Sequence, residues 1–154
     1  MMAIMASFRQ NRQLYDPIRR TWVANSPEEQ VRQQWLKVLI EQLEFPRELI
    51  AVEKELKELP HLSREPSLPQ RRADLICFAK GIHPKHDLFP LLLIEFKRDV
   101  WDRAAMEQLL GYNHYVKAPY AALANPNTAH LVFPEKCPFL PSFLQLVSRV
   151  KNGV

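Results

Sequence analysis

The hydrophobic positions of the chain recur with two different periods, which predict strands and helices in alternation. A continuous apolar run at 91–94, followed by Glu95, Phe96 and Lys97, predicts a strand over 91–97 that is buried on both faces. Further strands are expected at 72–79, 120–126 and 129–133. Wide apolar faces at helical spacing predict helices over 26–44, 99–117 and 141–152. This order predicts an α/β fold in which helices flank a mixed β-sheet.

The first helix has clear start signals, whereas the segment that follows it is ambiguous. Ser26 is a good N-cap, Pro27 suits the first helical position, and Glu28 and Glu29 fall in the first turn. Residues 49–59 carry charges that suggest a helix, but their apolar positions also fit one face of a strand. The residues alone leave both interpretations open.

Three regions are expected along the chain. Residues 1–25 look like an irregular basic arm, and its arginines are Arg9, Arg12, Arg19 and Arg20. Residues 26–140 hold the α/β domain, in which 60–72 and 80–90 are expected to be loops because of their prolines and charges. Residues 141–154 are expected to form a C-terminal helix and tail.

Composition narrows the classes of protein that fit. With 154 residues, 47% of them hydrophobic, the chain can form one domain with a real core. The net charge of +4 agrees with a polyanionic partner but is weak support on its own. Three glycines cannot form a glycine-rich phosphate loop, and two cysteines cannot form a disulfide framework. Because no secretory signal or membrane-length apolar run is present, a cytoplasmic location is expected.

Charged residues at the ends of two predicted strands suggest a metal site. Glu95 and Lys97 share one strand face, and Asp74 on the preceding strand lies next to Glu95 if the two strands form a hairpin. Two carboxylates leave open positions on Mg²⁺ for phosphate oxygens, and a neighbouring lysine can position an attacking water. This arrangement suits phosphodiester hydrolysis. The structural alternative is an ion pair at a sheet edge.

Two residues on the next predicted helix extend this pattern. Gln108 and Tyr112 are four residues apart, so they share one face of the helix. Both can hydrogen-bond a phosphate or a metal-bound water. The alternative is that Tyr112 is a core residue and Gln108 bonds a backbone group.

Together these residues resemble the PD-(D/E)XK nuclease superfamily. More closely, the chain resembles the N-terminal nuclease domain of type I restriction enzyme R subunits, over about residues 15–133. The stretches that carry the resemblance are 15–36, 48–57, 71–78, 91–97 and 107–125. The resemblance implies a restriction-endonuclease-like core over 26–140, in which 49–59 is a strand.

The resemblance also implies a role for each site residue. Asp74 and Glu95 would bind Mg²⁺, for which Mn²⁺ can substitute, and Lys97 would position the nucleophile. Glu29 would assist through a water, whereas its structural alternative is an acid that only favours the helix N-terminus. Gln108 and Tyr112 would support the metal site or the DNA backbone.

The expected activity is Mg²⁺-dependent DNA cleavage in bacterial defence or DNA processing. The expected partners are DNA, a motor or specificity subunit on another chain, and a second copy of this chain. Basic residues in the loops expected to flank the site could contact DNA phosphates: Arg71, Arg72, Lys80 and Lys85. The competing hypothesis is a non-catalytic DNA-binding or assembly module that keeps the nuclease fold.

Overall fold

The computed structural model describes residues 12–152 and centres on a five-stranded sheet. The strands are β1 (Gln13–Asp16), β2 (Thr21–Ala24), β3 (Ile50–Glu55), β4 (Arg72–Lys80), β5 (Leu88–Phe96), β6 (Tyr120–Ala124) and β7 (Ala129–Phe133). The α-helices are α1 (Pro27–Lys37), α2 (Arg103–Val116) and α3 (Phe143–Lys151). A π-helical turn (Val38–Gln42) continues α1, and 3₁₀ turns occupy Arg47–Leu49, Leu56–Glu58 and Pro60–Leu62.

The sheet is mixed, as the sequence predicts. Its strands lie in the order β3–β4–β5–β6–β7. Only the β5–β6 pair is parallel, and the helix α2 makes the crossover between these two strands. The predicted α/β fold, with a mixed sheet flanked by helices, is therefore confirmed.

Each face of the sheet is covered by a hydrophobic cluster. On one face, Leu36 of α1 and Leu146 of α3 pack with alternate residues of the central strands. On the other face, Leu109 and Tyr112 of α2 pack with the intervening residues. Because β4 and β5 carry apolar residues on both sides, they are almost fully buried. The polar residues at their ends are therefore held on a rigid support.

The local signals for α1 are borne out. Glu29 donates its backbone N–H to the Ser26 side chain, which caps the helix as predicted. The helix ends in a π turn in which the Leu43 N–H bonds the Val38 carbonyl at 3.0 Å. The predicted span of 26–44 corresponds to α1 together with this turn.

The structure resolves the ambiguity at residues 49–59 and corrects the expected loop at residues 80–90. The ambiguous segment 49–59 begins as the strand β3, as the resemblance implies, and ends in a 3₁₀ turn. The expected loop over 80–90 is too long, because β4 extends to Lys80 and β5 begins at Leu88. Pairing between Lys80 and Leu88 extends the hairpin beyond the predicted apolar run.

The N-terminal region also differs from the irregular arm that we expected. Residues 13–24 form a β-hairpin of β1 and β2, whereas residues 1–11 lie outside the described residues. Gln33 of α1 donates to the buried Asp16 carboxylate at 3.0 Å, and Arg19 bonds Glu29. These tertiary bonds hold the hairpin against α1, so the segment is regular where an irregular basic arm was expected. Within residues 12–152, no helix is both long and apolar enough to cross a membrane.

Candidate nuclease site

Asp74 and Glu95 meet across the β4–β5 hairpin, as the sequence predicts. Leu75 pairs with Ile94, so the preceding residue of β4 faces the following residue of β5. The Phe96 N–H donates to Asp74 Oδ2 at 2.9 Å, which fixes the Asp74 carboxylate at the end of β5. The two acids therefore emerge side by side from strands with fully buried apolar interiors.

The electrostatics of Glu95 distinguish it from an ordinary surface acid. Burial raises the pKa of Glu95 well above its usual value, and the Asp74 charge and hydrogen bond raise it further. Lys97 and Arg71 oppose this shift but do not reverse it. Without a cation, the raised pKa therefore favours the protonated form of Glu95 at neutral pH, and a bound cation would displace that proton.

The helix α2 places Gln108 and Tyr112 beside these acids. It begins at the N-cap Asp102, whose carboxylate accepts the Ala105 N–H at 3.0 Å. One turn later, Gln108 Oε1 accepts from Lys97 Nζ at 3.5 Å. The predicted pair therefore shares one helix face, and Gln108 holds the lysine that follows β5.

Tyr112 is a core residue, and its hydroxyl is also placed to hydrogen-bond a ligand; the sequence had left these two roles as alternatives. Its side chain is 3% exposed and packs in the hydrophobic cluster under α2. Its hydroxyl is nevertheless one of the few buried side-chain polar atoms of the described residues without a hydrogen-bond partner. Burial and the Glu95 charge both raise the pKa of Tyr112, so its hydroxyl remains a donor at neutral pH. A buried donor without a partner is costly unless a ligand supplies one.

Glu95, Lys97 and residues of α2 enclose a small cavity of about 90 Å³, and Asp74 lies beside Glu95 behind this lining. Its lining consists of Arg71, Arg72, Glu95, Lys97, Ala105, Gln108, Leu109 and Tyr112. The Arg71 guanidinium lies 5.1 Å from the centre of the Tyr112 ring, over its face. The two predicted DNA-contacting arginines at the start of β4, Arg71 and Arg72, therefore lie at this cavity.

The chain after β5 is anchored by backbone and amide bonds. The Lys97 N–H donates to the Ala124 carbonyl at 2.8 Å, which extends the parallel β5–β6 pairing by one residue. The buried Asn125 donates from Nδ2 to the Asp99 carbonyl at 3.1 Å. These bonds fix the path that leads from Lys97 to α2. Sequence reasoning did not single out Asn125, although an Asn after a strand is a common turn signal.

Glu29 has a different environment from the one its proposed role suggests. Its carboxylate accepts two hydrogen bonds from Arg19, at 2.7 and 2.9 Å, and a third from Arg32. Arg32 also donates to Glu53 at 3.0 Å, and Arg19 donates to Asp16 at 2.7 Å. Glu29 is thus a member of a charge network with two arginines, and it does not line the cavity. Its assistance through a water stays a prediction.

Glu53 is an acid that the sequence reasoning missed. The β3–β4 register places it opposite Asp74, since Val52 pairs with Leu75 and Lys54 with Ala73. Its φ is +50°, which is unusual for a residue with a side chain. Its carboxylate bonds Arg32, so it joins the charge network on the α1 side. A positive φ in a strand leaves no signal in the sequence.

The two predicted basic loops lie at different ends of the hairpin. Lys80 ends β4, six residues from Asp74, which corresponds to about 20 Å along a strand. Lys85 lies in the turn beyond it, between β4 and β5. The expectation that this loop flanks the site is wrong, because the hairpin is longer than predicted. Contact of Lys80 and Lys85 with DNA stays a prediction.

Glu95 at the cavity and its neighbour Asp74 fit Mg²⁺ in number and type of donor. Asp74 and Glu95 offer carboxylate oxygens, and their mutual repulsion is relieved by a divalent cation. Among residues 12–152, no three His, Cys, Asp or Glu side chains converge in a way that could hold a metal. Mg²⁺ needs only one or two protein carboxylates, because waters and substrate phosphate complete its coordination. The pair therefore fits a site completed by substrate.

Comparison with known proteins agrees with the resemblance read from the sequence. The family model described as type I restriction enzyme R protein N terminus matches residues 27–136. The match spans α1 to the loop after β7, and it contains all six proposed catalytic residues. Searches of curated proteins and of solved structures find no significant match.

Proposed function

This chain belongs to the type I restriction enzyme R protein N-terminus family, and from that premise we propose that it is a Mg²⁺-dependent deoxyribonuclease. The reaction is hydrolysis of a DNA phosphodiester bond, in bacterial defence or DNA processing. The observation that carries the proposal is the partly buried pair of Asp74 and Glu95 beside Lys97. Two carboxylates so close together lower the stability of the folded chain, and a bound cation would offset that cost.

Each residue around the cavity has a defined task in this proposal. Asp74 and Glu95 hold the cation, and the Phe96 N–H keeps Asp74 oriented. Lys97 positions the attacking water or stabilises negative charge that develops on the phosphoryl group. Gln108 restrains Lys97, and the Tyr112 hydroxyl donates to a phosphate oxygen or a water. When bound, Mg²⁺ supplies Lewis-acid polarisation of the phosphoryl group.

The rim of the cavity suits the substrate's charge. Arg71 and Arg72 are exposed and line the cavity, so they are placed to contact DNA phosphates. The stacking of Arg71 on Tyr112 restricts the arginine without neutralising it. A phosphate in the cavity would therefore have cations on two sides, from Lys97 and from the arginines.

The decisive experiment compares the wild type with Lys97→Ala on plasmid DNA and on linear single- and double-stranded DNA. Reactions contain Mg²⁺, Mn²⁺ or EDTA, and products are separated on gels. We expect metal-dependent cleavage that Lys97→Ala lowers at least roughly 100-fold, since it loses a charge aimed at the transition state. Lys151→Ala is the matched control, because this exposed lysine ends α3 and does not line the cavity. It should cleave like the wild type.

The result also separates the enzyme from the competing module. DNA binding without cleavage in every metal condition would contradict the enzyme proposal and favour a non-catalytic DNA-binding or assembly module. Cleavage that survives in Lys97→Ala would place the reaction elsewhere on the molecule. Addition of a motor or specificity subunit tests whether a partner on another chain changes either result.

A further inference from the structure

A second and larger cavity lies on the neighbouring face of α2. Its volume is about 370 Å³, within the range of pockets that hold small ligands. Its lining includes Trp101, Arg103, Met106, His130, Leu131 and Lys136. The first turn of α2 thus separates two cavities: Ala105 and Gln108 face the nuclease site, and Arg103 and Met106 face this one.

The lining combines an aromatic platform with an apolar floor. Trp101 is partly exposed, and its ring meets the His130 ring edge to face with centroids 5.3 Å apart. Leu131 is buried and Met106 partly buried, and both contribute apolar surface beneath the rings. A flat π system with apolar surroundings is the surface on which nucleobases stack.

The charges at the cavity favour an anion over a cation. Arg103 and Lys136 are exposed at its edge. Arg103 pairs with Glu107 at 3.1 Å, but the pair is largely exposed and therefore weak. The one acid of the lining, Asp102, has its carboxylate occupied by the Ala105 N–H. An occupant with both a flat ring and a negative charge matches this lining.

The cavity wall is held in place by the fold. Leu131 and Cys137 exchange two backbone hydrogen bonds, of 2.9 and 3.0 Å, which close the loop that carries Lys136. On the other side, the Asp99 carbonyl is tied to Asn125 shortly before Trp101. A preorganised pocket loses less entropy when a ligand binds than a mobile loop does.

The distance to the nuclease site suits a single polynucleotide ligand. Trp101 follows Lys97 by four residues, so their Cα atoms are at most about 14 Å apart. A nucleic-acid strand whose phosphate reaches Lys97 could therefore place a nearby nucleotide against Trp101. A base within a duplex is stacked and paired, so only an unpaired base could enter the cavity.

From this arrangement we infer that the Trp101–His130 cavity binds an unpaired nucleotide of the DNA strand presented to the nuclease site. The inference rests on the proposed function and defines its substrate class as DNA with a single-stranded segment. Trp101 stacks on the base, while Arg103 and Lys136 neutralise the adjoining phosphates. Stacking of this kind tolerates all four bases, so the cavity adds preference for unpaired DNA without adding sequence specificity.

The test measures binding separately from cleavage. Fluorescence anisotropy in EDTA compares a labelled single-stranded oligonucleotide with the corresponding duplex, for the full chain. We expect tighter binding of the single strand, and a roughly tenfold loss of that affinity in Trp101→Ala. Trp101→Phe should retain most of it, and Tyr115→Ala, an exposed aromatic further along α2, should match the wild type. Duplex affinity should change little in all three variants.

A second variant keeps the result interpretable if Trp101→Ala is poorly folded. Lys136→Glu lies on an exposed loop and should weaken single-strand binding more than duplex binding. Equal affinities for single strand and duplex, or no effect of Trp101→Ala in a folded variant, would overturn the inference.

The cleavage assay then separates this inference from the proposed function. A wild type that cuts DNA but binds single strands independently of Trp101 and Lys136 would retain the nuclease and exclude the nucleotide cavity. Binding through Trp101 without metal-dependent cleavage would retain the nucleotide cavity and contradict the proposed nuclease.

Discussion

Two groups of acids converge near the β3–β4–β5 edge of the sheet, and they differ in how their charges are matched. Asp16, Glu29 and Glu53 are bonded by Arg19 and Arg32, so that network contains almost as many cations as anions. Asp74 and Glu95, by contrast, lie together at a partly buried strand end, and no arginine or lysine of residues 12–152 is bonded to either carboxylate. The first group has its charges matched by arginines, whereas the second has hydrogen bonds from Phe96 and within the pair but no cation bonded to it.

The comparison is informative because both groups lie on the same framework. The β3–β4 register puts Glu53 level with Asp74, yet its positive φ and its bond to Arg32 assign it to the network. Glu29, the acid that the family resemblance favours for catalysis, is also in the network. Neither the strand register nor the family resemblance therefore decides which acids remain available for a metal; the arginine contacts do.

The largest effect on stability is expected from breaking the charge network. Arg32→Ala leaves two carboxylates with one fewer partner, and Arg32 is only 4% exposed. We expect a loss of about 3 kcal/mol in the free energy of unfolding, measured by urea denaturation. Arg103→Ala is the matched control, since it removes a helical arginine whose ion pair is exposed, and it should cost less than about 0.5 kcal/mol. Equal losses in the two variants would refute the distinction between the groups.

At the carboxylate pair, by contrast, we expect a substitution to raise the stability of the folded chain. The pKa of Glu95 is raised in the folded chain, so its contribution to stability is full below the unfolded pKa near 4.5 and is lost as the pH rises. Glu95→Gln should therefore raise Tm by about 2–4 °C at pH 8 without metal, while it abolishes cleavage. The wild type should also lose stability from pH 5 to pH 9 more steeply than the variant. Glu58→Gln, at an exposed acid, serves as the control.

The same pair predicts a specific response to metal. Mg²⁺ should raise the Tm of the wild type at pH 8, because it binds the folded state only. The increase should vanish in Glu95→Gln and persist in Arg103→Ala. An increase of equal size in all three proteins would show that Mg²⁺ binds somewhere other than the carboxylate pair.

The smallest effect on stability is expected at Tyr112. Tyr112→Phe removes a buried hydroxyl that has no partner, so the unfolding free energy should change by less than about 0.5 kcal/mol. Cleavage should fall roughly tenfold, since the hydroxyl would bond a charged oxygen of the bound substrate. Tyr120→Phe, at a buried tyrosine outside the cavity, is the control and should leave cleavage unchanged. Unchanged cleavage in Tyr112→Phe would restrict Tyr112 to core packing.

Much of the candidate site could be predicted because its spacing is local. Residues two apart on a strand share a face, so Glu95 and Lys97 follow directly from the apolar run before them. A short connection between two strands predicts a hairpin, which brings Asp74 to Glu95. Gln108 and Tyr112 share a face of α2 because they are one helical turn apart. None of these relations requires knowledge of the rest of the molecule.

The prediction was wrong where a long-range contact competes with a local signal. Arg19 was expected in an irregular basic arm, but it bonds an acid ten residues away on α1. Lys80 and Lys85 looked like neighbours of the site, but the extended hairpin moves them to its far end.

The sequence by itself determined the α/β order of elements and the neighbouring positions of Asp74, Glu95 and Lys97. It also determined that Gln108 and Tyr112 share one face of the next helix. These follow from the periods of strands and helices, which local sterics and hydrogen bonding set. Only the tertiary structure decided which acids are neutralised by arginines, which hydroxyl is left without a partner, and where a second cavity opens. Those outcomes depend on how distant segments pack, and the free energy of a charge or a polar group depends on its final neighbours and its burial.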